Sequence, residues 1–292
     1  MEKQSGSSSV SRWVTANGLR LHVQDWSGPG APRLVLLHGL ASSSRMFDLI
    51  APNLAAHFRV IAPDQRGHGL SDKPASGYDF ETIARDLDAL LDAVFPDPRP
   101  VALVGHSWGA YTTLYYAATR PDRLAQAVLL DGGVRSIAGR YPDWETARIG
   151  MAPPRYQDRS LEEIRQMIRT DWLGPIFRPE LEPLALSIFD SHNPQDVRAH
   201  LSYENHMQIV RALWEMNPQE FFPRVQCPTL LVAAVPPGQT VSPDDERMIA
   251  DALSNIAHAE VCWMPDTVHD SPWHRPRELA AILKDFLIQA GR

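Results

Sequence analysis

Cysteine is scarce in this 292-residue chain: Cys227 and Cys262 are the only two. One bridge is arithmetically possible, but a disulfide-stapled scaffold is not, and both residues read as reduced, strand-associated thiols. Lysine and arginine form no run, and the formal net charge is −7. The dense basic surface that nucleic acid or an anionic membrane requires is therefore missing. No uninterrupted apolar stretch is long enough for a transmembrane helix. The polar, serine-rich residues 1–10 lack the apolar core of a signal peptide. Residues 1–12 are expected to form a disordered tail, and the default location is the cytoplasm.

Hydrophobic residues make up 44% and charged residues 22% of the chain, ordinary values for a globular protein. That much apolar material excludes global disorder. Proline is abundant at 25 residues, about 9% against a usual value near 5%. It concentrates at 96–100, 142–194 and 223–243, where it punctuates loops and short helices.

Two alternating runs about Ala16-Asn17-Gly18 predict a β-hairpin. Short apolar runs at 33–37, 58–62, 100–104, 127–130, 229–234 and 259–264 predict strands. Helices are predicted at 46–56, at 79–94, from 108 to about 119, at 244–253 and at 276–289, several of them on helical apolar spacing. Strands this apolar, alternating with helices, imply a mostly parallel sheet covered on both faces. Residues 134–222 break the rhythm. They carry helical patches at 160–170, 180–190 and 196–216 and no clear strand. They also carry Trp144, Tyr156, Trp172, Phe177, Phe189, Tyr203, Trp214, Phe221 and Phe222. This segment reads as a helical subdomain with its own small core, and as a lid whose inner aromatic face lines a pocket.

The residues Gly105-His106-Ser107-Trp108-Gly109 match G-x-S-x-G between an apolar strand and a helix, the context that gives the match meaning. A sharp strand-to-helix turn lifts Ser107 above the sheet and strains its backbone. Ser107 needs a base, because a hydroxyl is a weak nucleophile at neutral pH. His269, just past the last predicted strand, is the favoured base, and His274 is the alternative. The base needs an orienting carboxylate. Asp131 ends the strand after the nucleophile helix. Asp244 and Asp245 compete, although both look like helix-capping residues. An oxyanion hole needs two converging backbone N–H groups, expected from Trp108 and from Leu40 after His38-Gly39. His38 reads as structural. Asp64, Arg66, His68 and Ser71 read as an internal turn network without chemistry.

These motifs resemble the α/β-hydrolase fold superfamily, specifically its cap-bearing serine members. The matching residues are Leu37-His38-Gly39, the stretch from Asp64 to Ser71, the Gly105 to Gly109 elbow, and His269 followed by Arg275-Pro276. The resemblance implies an eight-stranded, mostly parallel sheet with helices on both faces and no metal or organic cofactor. It also implies nucleophile, acid and histidine in that chain order. Residues 13–133 and 223–292 correspond to the core and 134–222 to a helical cap. Many members carry the acid after the penultimate strand, where this chain has Gly238-Gln239. A subset carries it where this chain has Asp131, which favours Asp131. A serine at the elbow disfavours the haloalkane dehalogenase and epoxide hydrolase branches.

The expected activity is a serine hydrolase cleaving a carboxylic ester or lactone, with an apolar or aromatic small-molecule substrate. The same triad could instead cleave C–C, thioester or amide bonds, or support cofactor-free haloperoxidase activity. A slow-turnover ligand-binding receptor is the alternative of another class.

Overall fold

The computed structural model describes residues 9–26, 32–156 and 158–289. In chain order the elements up to the insertion are β1 (Val10–Ala16), β2 (Leu19–Trp26), β3 (Arg33–Leu37), α1 (Ala51–Leu54), β4 (Arg59–Pro63), α2 (Phe80–Val94), β5 (Val101–His106), α3 (Trp108–Thr119) and β6 (Leu124–Leu130). The insertion follows with α4 (Ile137–Arg140), α5 (Trp144–Gly150), α6 (Leu161–Met167), α7 (Glu182–Leu186), β7 (Phe189–Asp190), β8 (Arg198–Ala199) and α8 (Tyr203–Glu215). The chain then returns through β9 (Thr229–Ala234), α9 (Pro243–Asn255), β10 (Ala259–Met264), α10 (Ser271–His274) and α11 (Pro276–Gln289).

Eight strands form one sheet in the order β1-β2-β4-β3-β5-β6-β9-β10. The β1–β2 and β2–β4 pairs are antiparallel; every pair from β4 to β10 is parallel. The central strands are buried on both faces. In β3 all five residues are buried, and the two-residue pleat sends Val35 and Leu37 into one core and Leu34 and Leu36 into the other. Helix α2 begins where the Asp79 carboxylate accepts the Thr82 N–H, and it buries Ile83, Leu87, Leu90, Leu91 and Val94 along one face. Among the described residues, no helix is long and apolar enough to cross a membrane.

Three expectations need correction, and one of the three lies partly outside the described residues. Of the expected tail, residues 1–8 lie outside them, while Val10 to Arg12 open β1. They are ordered by partners: Arg12 pairs with Asp25 at 2.7 Å, and the Ser11 hydroxyl bonds His22 Nε2 at 2.6 Å. The helix expected at 46–56 is instead a 3-10 turn, Ser44–Phe47, followed by the single turn of α1. Pro52 cannot donate a backbone hydrogen bond, so it sits at the start of α1 rather than inside a longer helix. The insertion has no separate core among the described residues. Its Ile209, Leu213 and Phe222 join the core on one sheet face, and its Ile164, Ile168 and Leu184 join the other.

Candidate active site

Strand β5 ends at His106 and α3 begins at Trp108, so Ser107 alone makes the turn, at φ 54° and ψ −118°. A non-glycine residue at this φ is strained, and the packing around it is what keeps it there. The close approach is visible at the flanking glycines. A Cβ on Gly105 would lie 2.0 Å from the Gly109 carbonyl oxygen, and one on Gly109 would lie 2.2 Å from that of Leu37. No side chain fits at either position. The loop after β3 presses on the same point, since a Cβ on Gly39 would lie 3.0 Å from Ser107 Cβ. Leu40 therefore stands beside Ser107. Trp108 opens α3, where the first-turn N–H groups have no partner within the helix.

Asp131 follows β6, with φ 49°. Its Oδ2 accepts the His269 Nδ1–H at 2.5 Å, and its Oδ1 accepts the Ala234 N–H at 3.0 Å. Burial raises the Asp131 pKa, but the His269 bond and charge, the Ala234 amide and His106 lower it by more, and the net shift is downward. For His269, crowding by the surrounding protein lowers the pKa. The hydrogen bond and charge of Asp131, with the charge of Asp270, outweigh that, so the net shift is upward. The imidazole still faces an open cleft, with 55% of its side chain exposed.

Neither Asp244 nor Asp245 pairs with His269, although Asp245 lines a cavity together with Ser107 and His269. Both lie in the first turn of α9, which Ser242 caps, and both pair with Arg135, at 2.9 and 2.6 Å. His274 meets the loop rather than the cleft: its Nδ1 accepts the Val268 N–H at 3.1 Å. His38 is engaged at both nitrogens. Nδ1 donates to the Gly39 carbonyl at 2.8 Å, and Nε2 accepts the Gln65 N–H at 3.0 Å. The Asp64 to Ser71 stretch is a closed network. The Asp64 carboxylate takes the Ser44 and Leu70 N–H groups and the His22 ring, Arg66 makes a forked pair with Asp86, and the Ser71 hydroxyl donates to the Asp64 carbonyl.

Two partners of the site carry no sequence signal. His106 Nε2–H donates to the His269 carbonyl at 2.9 Å, and burial drives its pKa down to about 4, so this ring stays neutral. Trp172 Nε1–H donates to Asp270 at 3.1 Å, tying the insertion to the residue after His269.

Two cavities, of about 480 and 450 Å³, meet at Leu40, Ser107 and His269. Trp108, Tyr111, Trp263, Arg135 and Arg140 line the larger one. Met46, Tyr156, Met167 and Trp172 line the other, with Asp171 and Asp270. Of the insertion's aromatic residues, Tyr156 and Trp172 reach these walls; Trp144 and Trp214 pack on each other, ring centres 6.0 Å apart. Among the described residues, no group of three or more His, Cys, Asp or Glu side chains is placed to hold a metal ion.

Residues 32–171 match the protein family described as alpha/beta hydrolase fold. A soluble epoxide hydrolase of Corynebacterium sp. (strain C12) is 35% identical over 164 residues, 50% of this chain and 56% of that protein. A 2-(acetamidomethylene)succinate hydrolase of Mesorhizobium japonicum is 38% identical over 122 residues, 42% of each chain. The chain thus aligns with about half the length of these curated relatives, or less. The crystal structure of E-2-(acetamidomethylene)succinate hydrolase superposes with a TM-score of 0.79 at 25% identity, covering 96% of this chain and 99% of that one.

Proposed function

The chain belongs to the alpha/beta hydrolase fold superfamily, and from that premise we propose that it is a serine hydrolase cleaving a carboxylic ester or lactone through an acyl-enzyme. The observation that carries this reading is the 2.5 Å Asp131–His269 bond at the edge of a cleft that Ser107 also lines.

In this mechanism Ser107 Oγ attacks the carbonyl carbon, and His269 Nε2 takes its proton. Asp131 holds Nδ1–H, which leaves Nε2 free as the acceptor, and its charge stabilises the imidazolium that forms. The N–H groups of Trp108 and Leu40 receive the oxyanion of the tetrahedral intermediate. His269 then protonates the leaving alkoxide. Water, deprotonated by His269, attacks the acyl-enzyme, and the carboxylic acid leaves as Ser107 recovers its proton.

The elbow side chain also argues against epoxide opening. Attack of a serine oxygen on an epoxide carbon would leave an alkyl ether, which activated water does not cleave. Attack on an acyl carbon leaves an ester, which it does. In this reading residues 134–222 are the cap, and Tyr156 and Trp172 favour an apolar or aromatic small-molecule substrate. Labelling with a fluorophosphonate, together with multiple turnover of p-nitrophenyl esters, tests the reading. Ser107→Ala should abolish labelling and lower kcat by at least about three orders of magnitude. Activity within tenfold of wild type would remove Ser107 as nucleophile.

A further inference from the structure

We propose that the larger of the two cavities meeting at Ser107 takes a carboxylate of the substrate, with Arg140 as its counter-ion, while the apolar or aromatic end of the substrate lies in the other cavity. The proposal rests on the ester-hydrolase reading for the bond that is cleaved. It narrows the substrate to an ester with a free carboxylate on one side of that bond and an apolar group on the other.

The charged and titratable side chains lining the larger cavity are Asp131, Arg135, Arg140, Asp245 and His269. Four of them are paired with one another. Asp131 holds His269 at 2.5 Å, and Arg135 meets Asp245 at 2.6 Å. Arg135 also meets Asp244 at 2.9 Å, and Asp244 meets Arg247 at 3.1 Å, so two guanidinium groups face two carboxylates in a balanced cluster. Arg140 stands apart. It is exposed at the end of α4 and has no ion-pair partner among the described residues. Its guanidinium lies over the Tyr141 ring, 5.4 Å from the centre, a contact that leaves its charge uncancelled.

The other cavity carries the opposite sign. Asp171 and Asp270 line it, and the side-chain donors they receive are neutral: the Thr170 hydroxyl at 2.7 Å and the Trp172 Nε1–H at 3.1 Å. Neither carboxylate has an ion-pair partner among the described residues. The field of such unpaired charges acts across the width of a cleft, so one chamber attracts an anion and the other repels it. Leu40, Ser107 and His269 are the residues the two chambers share. A carbonyl held at Ser107 therefore divides the substrate into one half for each chamber. The sign difference fixes which half goes where, because the reversed pose would set a carboxylate against Asp171 and Asp270. One uncompensated guanidinium matches a single negative charge, and its planar fork fits a carboxylate.

Two measurements test this, with monobenzyl glutarate as the anionic ester and its neutral carboxamide, matched in size, as the reference. The first does not depend on turnover: calorimetry compares the two affinities on Ser107→Ala, with and without Arg140→Gln or Arg140→Lys. The anionic ester should bind about tenfold more tightly, the low end for hydrogen bonds to a charged group because Arg140 is exposed. Arg140→Gln should abolish that preference, and Arg140→Lys, which keeps the charge, should retain part of it. The preference should also shrink between roughly 0.05 and 0.5 M salt, as screening requires. The second measurement is the ratio of kcat/KM for the two esters in chains that keep Ser107. It should favour the anionic ester by a similar factor and fall to about one in Arg140→Gln. Equal affinities, no measurable binding of the anionic ester, or a preference that survives in Arg140→Gln would each overturn the proposal. Failure to hydrolyse any ester overturns the ester-hydrolase reading instead, and leaves the calorimetry to judge the chamber.

Discussion

Asp131→Asn keeps the shape of the side chain and removes its charge, and the Ala234 amide governs how the site responds. Asp131 Oδ1 accepts the Ala234 N–H at 3.0 Å while Oδ2 accepts from His269 Nδ1 at 2.5 Å. An asparagine has one acceptor for two donors. If its oxygen keeps Ala234, its NH2 faces His269 and requires Nδ1 to accept, which moves the imidazole proton to Nε2. That tautomer cannot take the Ser107 proton. If the amide turns to serve His269, its NH2 opposes the Ala234 N–H, and the unpaired donors cost about 1–3 kcal/mol. The reactive tautomer is therefore rare in either arrangement, worth roughly 5- to 150-fold, since about 1.4 kcal/mol is tenfold. Loss of the negative charge beside the imidazolium adds the remainder of a loss that can reach about 10⁴ in kcat. The acid limb of kcat/KM reports the same change. In wild type the Asp131 bond and charge lift the His269 pKa above its usual 6.5, so activity should fall on acidification from a point above that value. With the carboxylate gone, that limb should move to lower pH. Steady-state hydrolysis of p-nitrophenyl acetate across pH, with a thermal melt of each protein, measures both. A folded Asp131→Asn with more than a tenth of wild-type kcat, or with an unmoved limb, would refute the reasoning.

Three other substitutions probe neighbouring contacts. Asp64→Asn should destabilise the fold by about 3 kcal/mol, because its NH2 would oppose the Leu70 N–H that Oδ2 accepts at 2.9 Å; a chemical melt within 1 kcal/mol of wild type counts against the network. His274→Ala should keep kcat within about tenfold of wild type, since it loses a bond to the Val268 amide and no contact with the cleft; a loss matching that of His269→Ala would exchange the roles of the two histidines. Gly109→Ala should fail to give active, folded protein, because its Cβ would stand 2.2 Å from the Leu37 carbonyl oxygen; a normal melt and normal turnover would contradict the packing at the elbow.

What could be read from the sequence was whatever the chain order imposes locally. Apolar runs such as Arg33–Leu37 and Thr229–Ala234 announce buried parallel strands, and residues that come after such strands must emerge at one edge of the sheet. Ser107, Asp131 and Leu40 were legible for that reason. Contacts between side chains far apart in the chain leave no such trace. Nothing near His106 points to the carbonyl of a residue 163 positions later, and nothing near Trp172 points to Asp270, 98 positions on. The insertion was the hardest part to read, since its aromatic residues are apolar whichever way they face. Trp144 and Trp214 pack together away from the cleft, while Tyr156 and Trp172 line it. The tail ran too long for a related reason: the polar start of β1 is held by Asp25 and His22 across the hairpin, partners that composition does not reveal.

The loop that carries His269 answers a conflict built into such a site. In the proposed mechanism the imidazole must stand open to a substrate, and it keeps 55% of its side chain exposed. Open loops are the mobile parts of a fold, yet a proton acceptor must hold its position within a fraction of an ångström. The chain resolves this by fixing the backbone rather than burying the ring. Thr267 N–H bonds the Val235 carbonyl at 2.8 Å, which anchors the loop to the end of β9. His106 holds the His269 carbonyl from the elbow, so the residue before Ser107 and the residue facing it are tied directly. From the insertion, Trp172 holds Asp270 and the Arg178 guanidinium donates to the Trp273 carbonyl at 2.6 Å. Sheet, elbow and insertion each contribute one side of the clamp. With the backbone held, the two side-chain rotations of His269 remain, and the hydrogen bond from Nδ1 to Asp131 restrains them.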